Sequence, residues 1–201
     1  MGCDIHTRVE YIRTINAEQE WFDGDYYRRN PYYDGTDEYE KELEVVEVCN
    51  DRNYARFATL ADVRNYGGTV PISQPRGIPK DCNTFIKKDY EQWGEDAHSA
   101  SYFTLKELID YQQSNPITKY SGFISPESAK NLDENGITPD TWSQGTTDES
   151  WVKRSWSEKS EVLIPLIEEL KQRCKKLMWI YDDERILEFA DKIRVVFWFD
   201  N

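Results

Sequence analysis

The chain's only two histidines each follow an aspartate by two positions, in Asp4-Ile5-His6 and Asp96-Ala97-His98. Imidazole titrates near neutrality, and beside carboxylates it serves as a metal ligand or a general acid/base. Residues i and i+2 share a face in extended backbone, so each pair presents its two polar groups together. The spacing predicts either one polar site built from both pairs or two separate hydrogen-bonded histidines. As one site, His6, His98, Asp4 and Asp96 suit a divalent metal such as Zn or Mn with positions left open for water. A metal there would lower the pKa of bound water and allow phosphoester hydrolysis. No His-Glu-x-x-His pattern and no Gly-x-x-x-x-Gly-Lys phosphate loop accompanies these residues.

A second chemistry needs neither metal nor turnover. Arg52 precedes a helical stretch and Arg76 lies in a Gly/Pro-rich loop, so either guanidinium could clamp a phosphate or carboxylate in bidentate fashion. Tyr54 could stack on a base. With Asp4, His6, Asp96, His98 and Ser99, these residues form the expected ligand-binding set for a small anionic, nucleotide-like molecule. The competing reading of Arg52 and Arg76 is an ion pair with one of the chain's many carboxylates. Ser99 has no glycine-flanked elbow that would mark it as a nucleophile.

The elements that would position these groups follow from periodicity. Residues 3–13 alternate as a strand, with Ile5, Thr7, Val9 and Tyr11 on one face and Asp4, His6, Arg8 and Glu10 on the other. The ionisable face is either a site floor or a solvated sheet face. Leu43–Cys49 reads as a second strand. Residues 51–66 read as a helix capped by Asp51 and ended by Gly67-Gly68, and a second helix runs from Asn83 to Trp93. Asp96 to Ser101 reads as a linking loop. Thr104-Leu105-Lys106-Glu107 is a capping box opening a third helix, and Ser125-Pro126 opens a short fourth. Ser160 to Met178 is a longer amphipathic helix with Pro165 in its first turn. Ile193–Phe199 is apolar on both faces, the mark of a central strand in a covered sheet. These elements predict an α+β fold: a small, mainly antiparallel sheet holding the N- and C-terminal strands, packed by three to four helices, in one domain over 1–201.

Two stretches stand apart. Residues 18–47 hold eleven acids against three bases, interleaved with Trp21, Phe22, Tyr26, Tyr27, Tyr32 and Tyr33, and read as an acidic aromatic hairpin or loop insertion. That array could meet a partner protein with a basic surface, or mimic nucleic acid. Residues 137–157 read as an exposed excursion. The net charge of −13 disfavours direct nucleic-acid binding. Aromatics at 14% argue against global disorder. Four scattered cysteines, no apolar run long enough to span a membrane and no signal-peptide pattern lead to the expectation of a cytosolic protein.

Several blocks form a recognisable set. Met1-Gly2-Cys3-Asp4-Ile5-His6, Arg52-Asn53-Tyr54, Phe57-Ala58, Val63-Arg64-Asn65 and Pro75-Arg76-Gly77-Ile78-Pro79 are joined by Asp81, His98-Ser99, Leu105, Glu107-Leu108 and the ending Val195 to Asn201. Together they resemble a family of small uncharacterised proteins of tailed phages and prophages. The resemblance implies an accessory protein acting in the host cytosol during infection or prophage carriage, with an anti-defence role among the readings. It implies no particular activity.

Overall fold

A computed structural model describes residues 2–36 and 41–200. Asp37, Glu38 and Glu40 of the acidic stretch, and the final Asn201, lie outside the described residues. In chain order the elements are β1 (Ile5–Ile15), β2 (Glu18–Asp23), β3 (Tyr26–Arg29), β4 (Leu43–Val46), α1 (Tyr54–Ala61), α2 (Thr84–Trp93), β5 (His98–Thr104), α3 (Leu105–Gln113), β6 (Ile117–Ile124), α4 (Pro126–Asn135), β7 (Val152–Lys159), α5 (Ile164–Met178) and β8 (Ile193–Phe199). The fold is α+β, and the chain divides into two compact units.

The first unit comprises Met1–Arg52, Pro75–Asp110 and Ile164–Asn201. Its sheet has the order β2-β1-β8-β5, antiparallel throughout. All seven residues of β8 are buried, Arg194 among them, as a strand otherwise apolar on both faces requires at the centre of a covered sheet. Val196 and Trp198 pack with Ala100 against Ile86, Tyr90 and Trp93 of α2. Phe197 and Phe199 take the other face, where Phe103 stacks on Phe197 at 5.9 Å between ring centroids. Helix α5 packs on β8 and buries Leu166, Leu170 and Cys174. A separate two-stranded sheet joins β3 to β4.

The second unit comprises Asn53–Gln74 and Tyr111–Leu163. Strands β6 and β7 pair over their whole length, and Trp156 packs with Ile124 and Ala129 beneath α4. Gly67 is required by close approach, because a Cβ there would lie 2.0 Å from the Lys119 carbonyl oxygen. Helix α4 carries the expected signals: the Ser125 hydroxyl accepts from Ser128 N, Pro126 sits at the helix start, and Gly136 closes it at φ 67°.

Local departures from the sequence reading have physical causes. Helix α1 is capped by Asn53, not Asp51, and ends at Ala61 because Asp62 adopts a left-handed φ of 61°, well before Gly67-Gly68. The stretch expected as a loop from Asp96 to Ser101 enters β5 at His98. A bulge between His98 and Ser101, with Ser99 at φ 51°, breaks the alternation that would have marked the strand. Part of the supposed insertion is a sheet strand, since β2 pairs with β1 from Glu10↔Asp23 to Ile15↔Glu18. Residues 152–157 of the supposed excursion belong to β7, a strand whose outward Lys153, Ser155 and Ser157 hide the inward Trp156. The capping box is as expected: Glu107 N donates to Thr104 Oγ1 at 3.2 Å, and Thr104 N donates to Glu107 Oε2 at 2.8 Å.

Candidate functional site

The polar face of β1 is covered by α2 and side chains from neighbouring segments, and each charge on it is answered. Arg8 donates to Asp89 Oδ2 at 2.7 Å and to Glu47 Oε1 at 2.8 Å. Glu10, fully buried, accepts from Arg194 Nε at 2.6 Å and from Asn83 N at 2.8 Å. Arg194 also reaches Asp81 at 2.9 Å and lies over the Trp21 ring. Such pairing is what permits ionised groups between a sheet and a helix, where an unanswered charge would be costly.

His6 occupies the same row. Its Nε2 lies 3.2 Å from Asp200 Oδ2, its Nδ1 3.7 Å from Glu47 Oε1, and its ring stands 4.0 Å from that of Trp93. Burial works against the charged imidazole, but hydrogen bonds to Glu47 and Asp200 outweigh it and raise its pKa above the ordinary 6.5. Glu47 thus bridges His6 and Arg8. Asp4 is gripped by Arg52, with Nε at 2.5 Å and the second contact at 2.7 Å, which holds the carboxyl below its usual range.

The two Asp-x-His pairs do not converge. His6 pairs across β8 with Trp198, and His98 pairs with Phe199. Trp198 and Phe199 are consecutive in one strand and point to opposite faces, so the two histidines do too. The ring contacts agree: His6 lies over Trp198 at 5.9 Å and His98 over Phe199 at 6.0 Å. Asp96 is exposed at the end of a 3-10 turn, Gly94–Asp96. The expected metal set of His6, His98, Asp4 and Asp96 is therefore not assembled, and no group of three or more His, Cys, Asp or Glu among the described residues is placed to hold a metal ion. His98 Nδ1 meets its neighbour Ser99 Oγ at 3.1 Å. Arg76 pairs with Glu107 at 2.7 Å and packs over Phe103, the ion-pair alternative rather than a phosphate clamp. Tyr54 belongs to the second unit, where it lines a cavity of about 20 Å³.

A cavity of about 580 Å³ instead opens on the Arg8 side of the sheet, walled by α2 and the β3–β4 hairpin. Three cations line it: Arg8, Lys41 and Lys88. Phe85, 70% exposed, and Tyr27 stand at its rim. Asp25 meets the wall through its main chain, its side chain lying behind at 1% exposure. Its Oδ1 accepts from Val9 N at 2.9 Å and from Arg173 at 3.3 Å, while Oδ2 is buried with no partner. Burial, opposed by the Val9 hydrogen bond and by Arg8, pushes this carboxyl up to about 7. Arg173, itself fully buried, also binds the carbonyls of Gly24 and Val46, tying the hairpin to α5. A second depression of about 610 Å³ borders Glu20, Trp21 and Asp81, and the Asp81 carboxylate there is already paired with Arg194 and with the Trp21 indole.

Sequence reasoning passed over Asp25 and Arg173. A signal for Arg173 existed: it follows Leu170 by three and so falls on the apolar stripe of α5, where a charge needs a buried partner. Asp25 was hidden among ten other acids in 18–47, and only the fold distinguishes it. No family model, curated protein or solved structure matches the chain. Among the described residues no helix is long and apolar enough to cross a membrane.

Proposed function

We propose that this protein binds a small anionic, nucleotide-like ligand in the cavity between α2 and the β3–β4 hairpin. The observation that carries the reading is the convergence of Arg8, Lys41 and Lys88 on one cavity with aromatic rings at its rim, Arg8 and Lys41 both being held by Asp89 at 2.7 and 3.1 Å. The lining acids are Asp25, Glu44 and Asp89. With Asp25 protonated, Arg8, Lys41 and Lys88 are balanced by Glu44, Asp89 and the Glu47 that holds Arg8, so the site is close to neutral in a chain of net charge −13. An anion is therefore held there against less repulsion than the chain's net charge alone would impose. Phe85 offers an exposed face on which a planar ring can stack. The volume suits a small molecule. Within this reading the cavity replaces the two Asp-x-His pairs as the binding site, and His6 positions Glu47, which in turn orients Arg8. The resemblance to phage proteins supports an accessory role in the host cytosol, where a binder could sequester a nucleotide-derived signal.

Native mass spectrometry of tag-free protein, followed by thermal-shift screening of mononucleotides and cyclic nucleotides, tests the proposal. A retained or stabilising nucleotide lost in Lys88→Glu supports it. Equal response in wild type and Lys88→Glu, or none in either, overturns it.

A further inference from the structure

We propose that the outer edge of β2 is a docking strand, to which an extended, basic segment of a partner protein adds. The four-stranded sheet of the first unit has two edges, and they differ. At β5 the edge is closed by residues 76–77. Gly77 N donates to the Ala100 carbonyl at 2.8 Å, Arg76 N donates to Ser101 Oγ at 3.3 Å, and the Arg76 guanidinium reaches the Tyr102 carbonyl. At β2 the register fixes which groups face outward. Ile12 N donates to the Lys192 carbonyl just before β8, and Gly24 N donates to the Val9 carbonyl from the other side. The odd-numbered residues of β1 therefore turn their main-chain groups toward β2, and Tyr11↔Phe22 and Arg13↔Glu20 are the hydrogen-bonded pairs. Gln19 and Trp21, opposite Thr14 and Ile12, direct theirs away from the sheet. Asn83 Nδ2 donates to the Trp21 carbonyl at 3.3 Å. The Gln19 N–H and C=O and the Trp21 N–H have no protein partner among the described residues.

An open edge invites another strand, and the charges along it select which strand can pair. Glu18 and Glu20 stand exposed on one face of β2. Arg13 lies across from Glu20 but packs over the Phe22 ring at 5.5 Å. Toward the other face, Gln19 and Trp21 share with Asp81, Asn83 and Thr84 a depression of about 610 Å³. A second copy of β2 pairing antiparallel through Gln19 would bring Glu20 opposite Glu18 or Glu20, and like charges directly opposite are destabilising. A segment with Arg or Lys at alternate positions instead sets cations against Glu18 and Glu20 and lays its intervening side chains over the depression. The chain's net charge of −13 favours the encounter. Main-chain bonds to Gln19 and Trp21 supply affinity, and the alternating charge supplies specificity.

The probe is the acetylated, amidated peptide Thr-Arg-Val-Arg-Val-Arg-Thr, with Thr-Glu-Val-Glu-Val-Glu-Thr as its control. Amide–water exchange of the ¹⁵N-labelled protein is followed by NMR with and without excess peptide. New main-chain bonds should slow exchange at Gln19 and Trp21 about tenfold or more, and the acidic control should leave it unchanged. Gln19→Pro removes an outward amide at a position where an edge strand tolerates proline, and should abolish the effect with the fold retained. Glu18→Lys/Glu20→Lys keeps the main chain and reverses the charge, and should weaken the basic peptide about tenfold or more. Unchanged exchange along β2, equal binding of the two peptides, or full affinity in Glu18→Lys/Glu20→Lys overturns the inference. So does sedimentation showing that the protein alone forms a dimer lost in Gln19→Pro, which would seat a second copy on the edge.

Discussion

Asp25→Asn should stabilise the protein above neutrality, with no ligand present. The carboxyl titrates at about 7 in the fold, against 3.8 for an ordinary aspartate. That is a separation of about three units, and each unit is worth about 1.4 kcal/mol. Between those values the folded chain keeps a proton that the unfolded chain has released. Stability therefore falls as pH rises from about 4 to about 7 and levels off beyond, for a total near 4 kcal/mol. Asparagine cannot ionise, and its side-chain oxygen can still accept from the Val9 amide. Urea unfolding of both proteins at a series of pH values measures the difference. The gap in favour of Asp25→Asn should open through the window and stay open above it. Parallel curves for the two proteins would refute the assignment of Asp25 as a buried acid retaining its proton near neutrality.

His6 has the opposite sense: its raised pKa means the protonated ring is favoured by the fold, so its contribution is present in full below 6.5 and is lost as pH rises through the folded value. His6→Gln should cost more stability at about pH 5.5 than at about pH 8.5 in the same urea assay. His98→Gln should leave ligand affinity in the α2 cavity unchanged, because His98 faces the other side of the sheet; a large loss by calorimetry would contradict the strand register. Phe197→Ala removes a fully buried ring from the central strand and should cost about 3–5 kcal/mol by denaturant unfolding. Arg52→Ala opens an exposed ion pair and should change stability by less than about 1 kcal/mol.

The sheet was legible because its decisive strands carry unambiguous patterns. Ile193–Phe199 is apolar on both faces and is central; residues 5–11 alternate and lie beside it. Helix starts were legible where side-chain caps announce them, at Thr104 and Ser125. What misled was exposure: β2 and β7 present polar side chains on their open faces and read as insertion and excursion. The bulge at Ser99 removed the periodicity of β5 in the same way. The site was only half legible. The row His6, Arg8, Glu10 was visible as a shared face, but whether it met solvent, ligand or counter-charges depended on Glu47, Asp89 and Arg194, all distant in sequence. The convergence of His6 with His98 turned on strand parity. A register in which one pairs with Trp198 and the other with Phe199 separates them, and no local pattern encodes that choice.

The most direct test of the central claim is an amide chemical-shift map of the ¹⁵N-labelled protein titrated with cyclic adenosine monophosphate. A ligand in the proposed cavity should shift Asp25, Tyr27, Phe85, Lys88 and Asp89 together in a saturable way and leave Asp96 and Ser99 in place. Saturable shifts centred elsewhere, or none at all, would contradict the account.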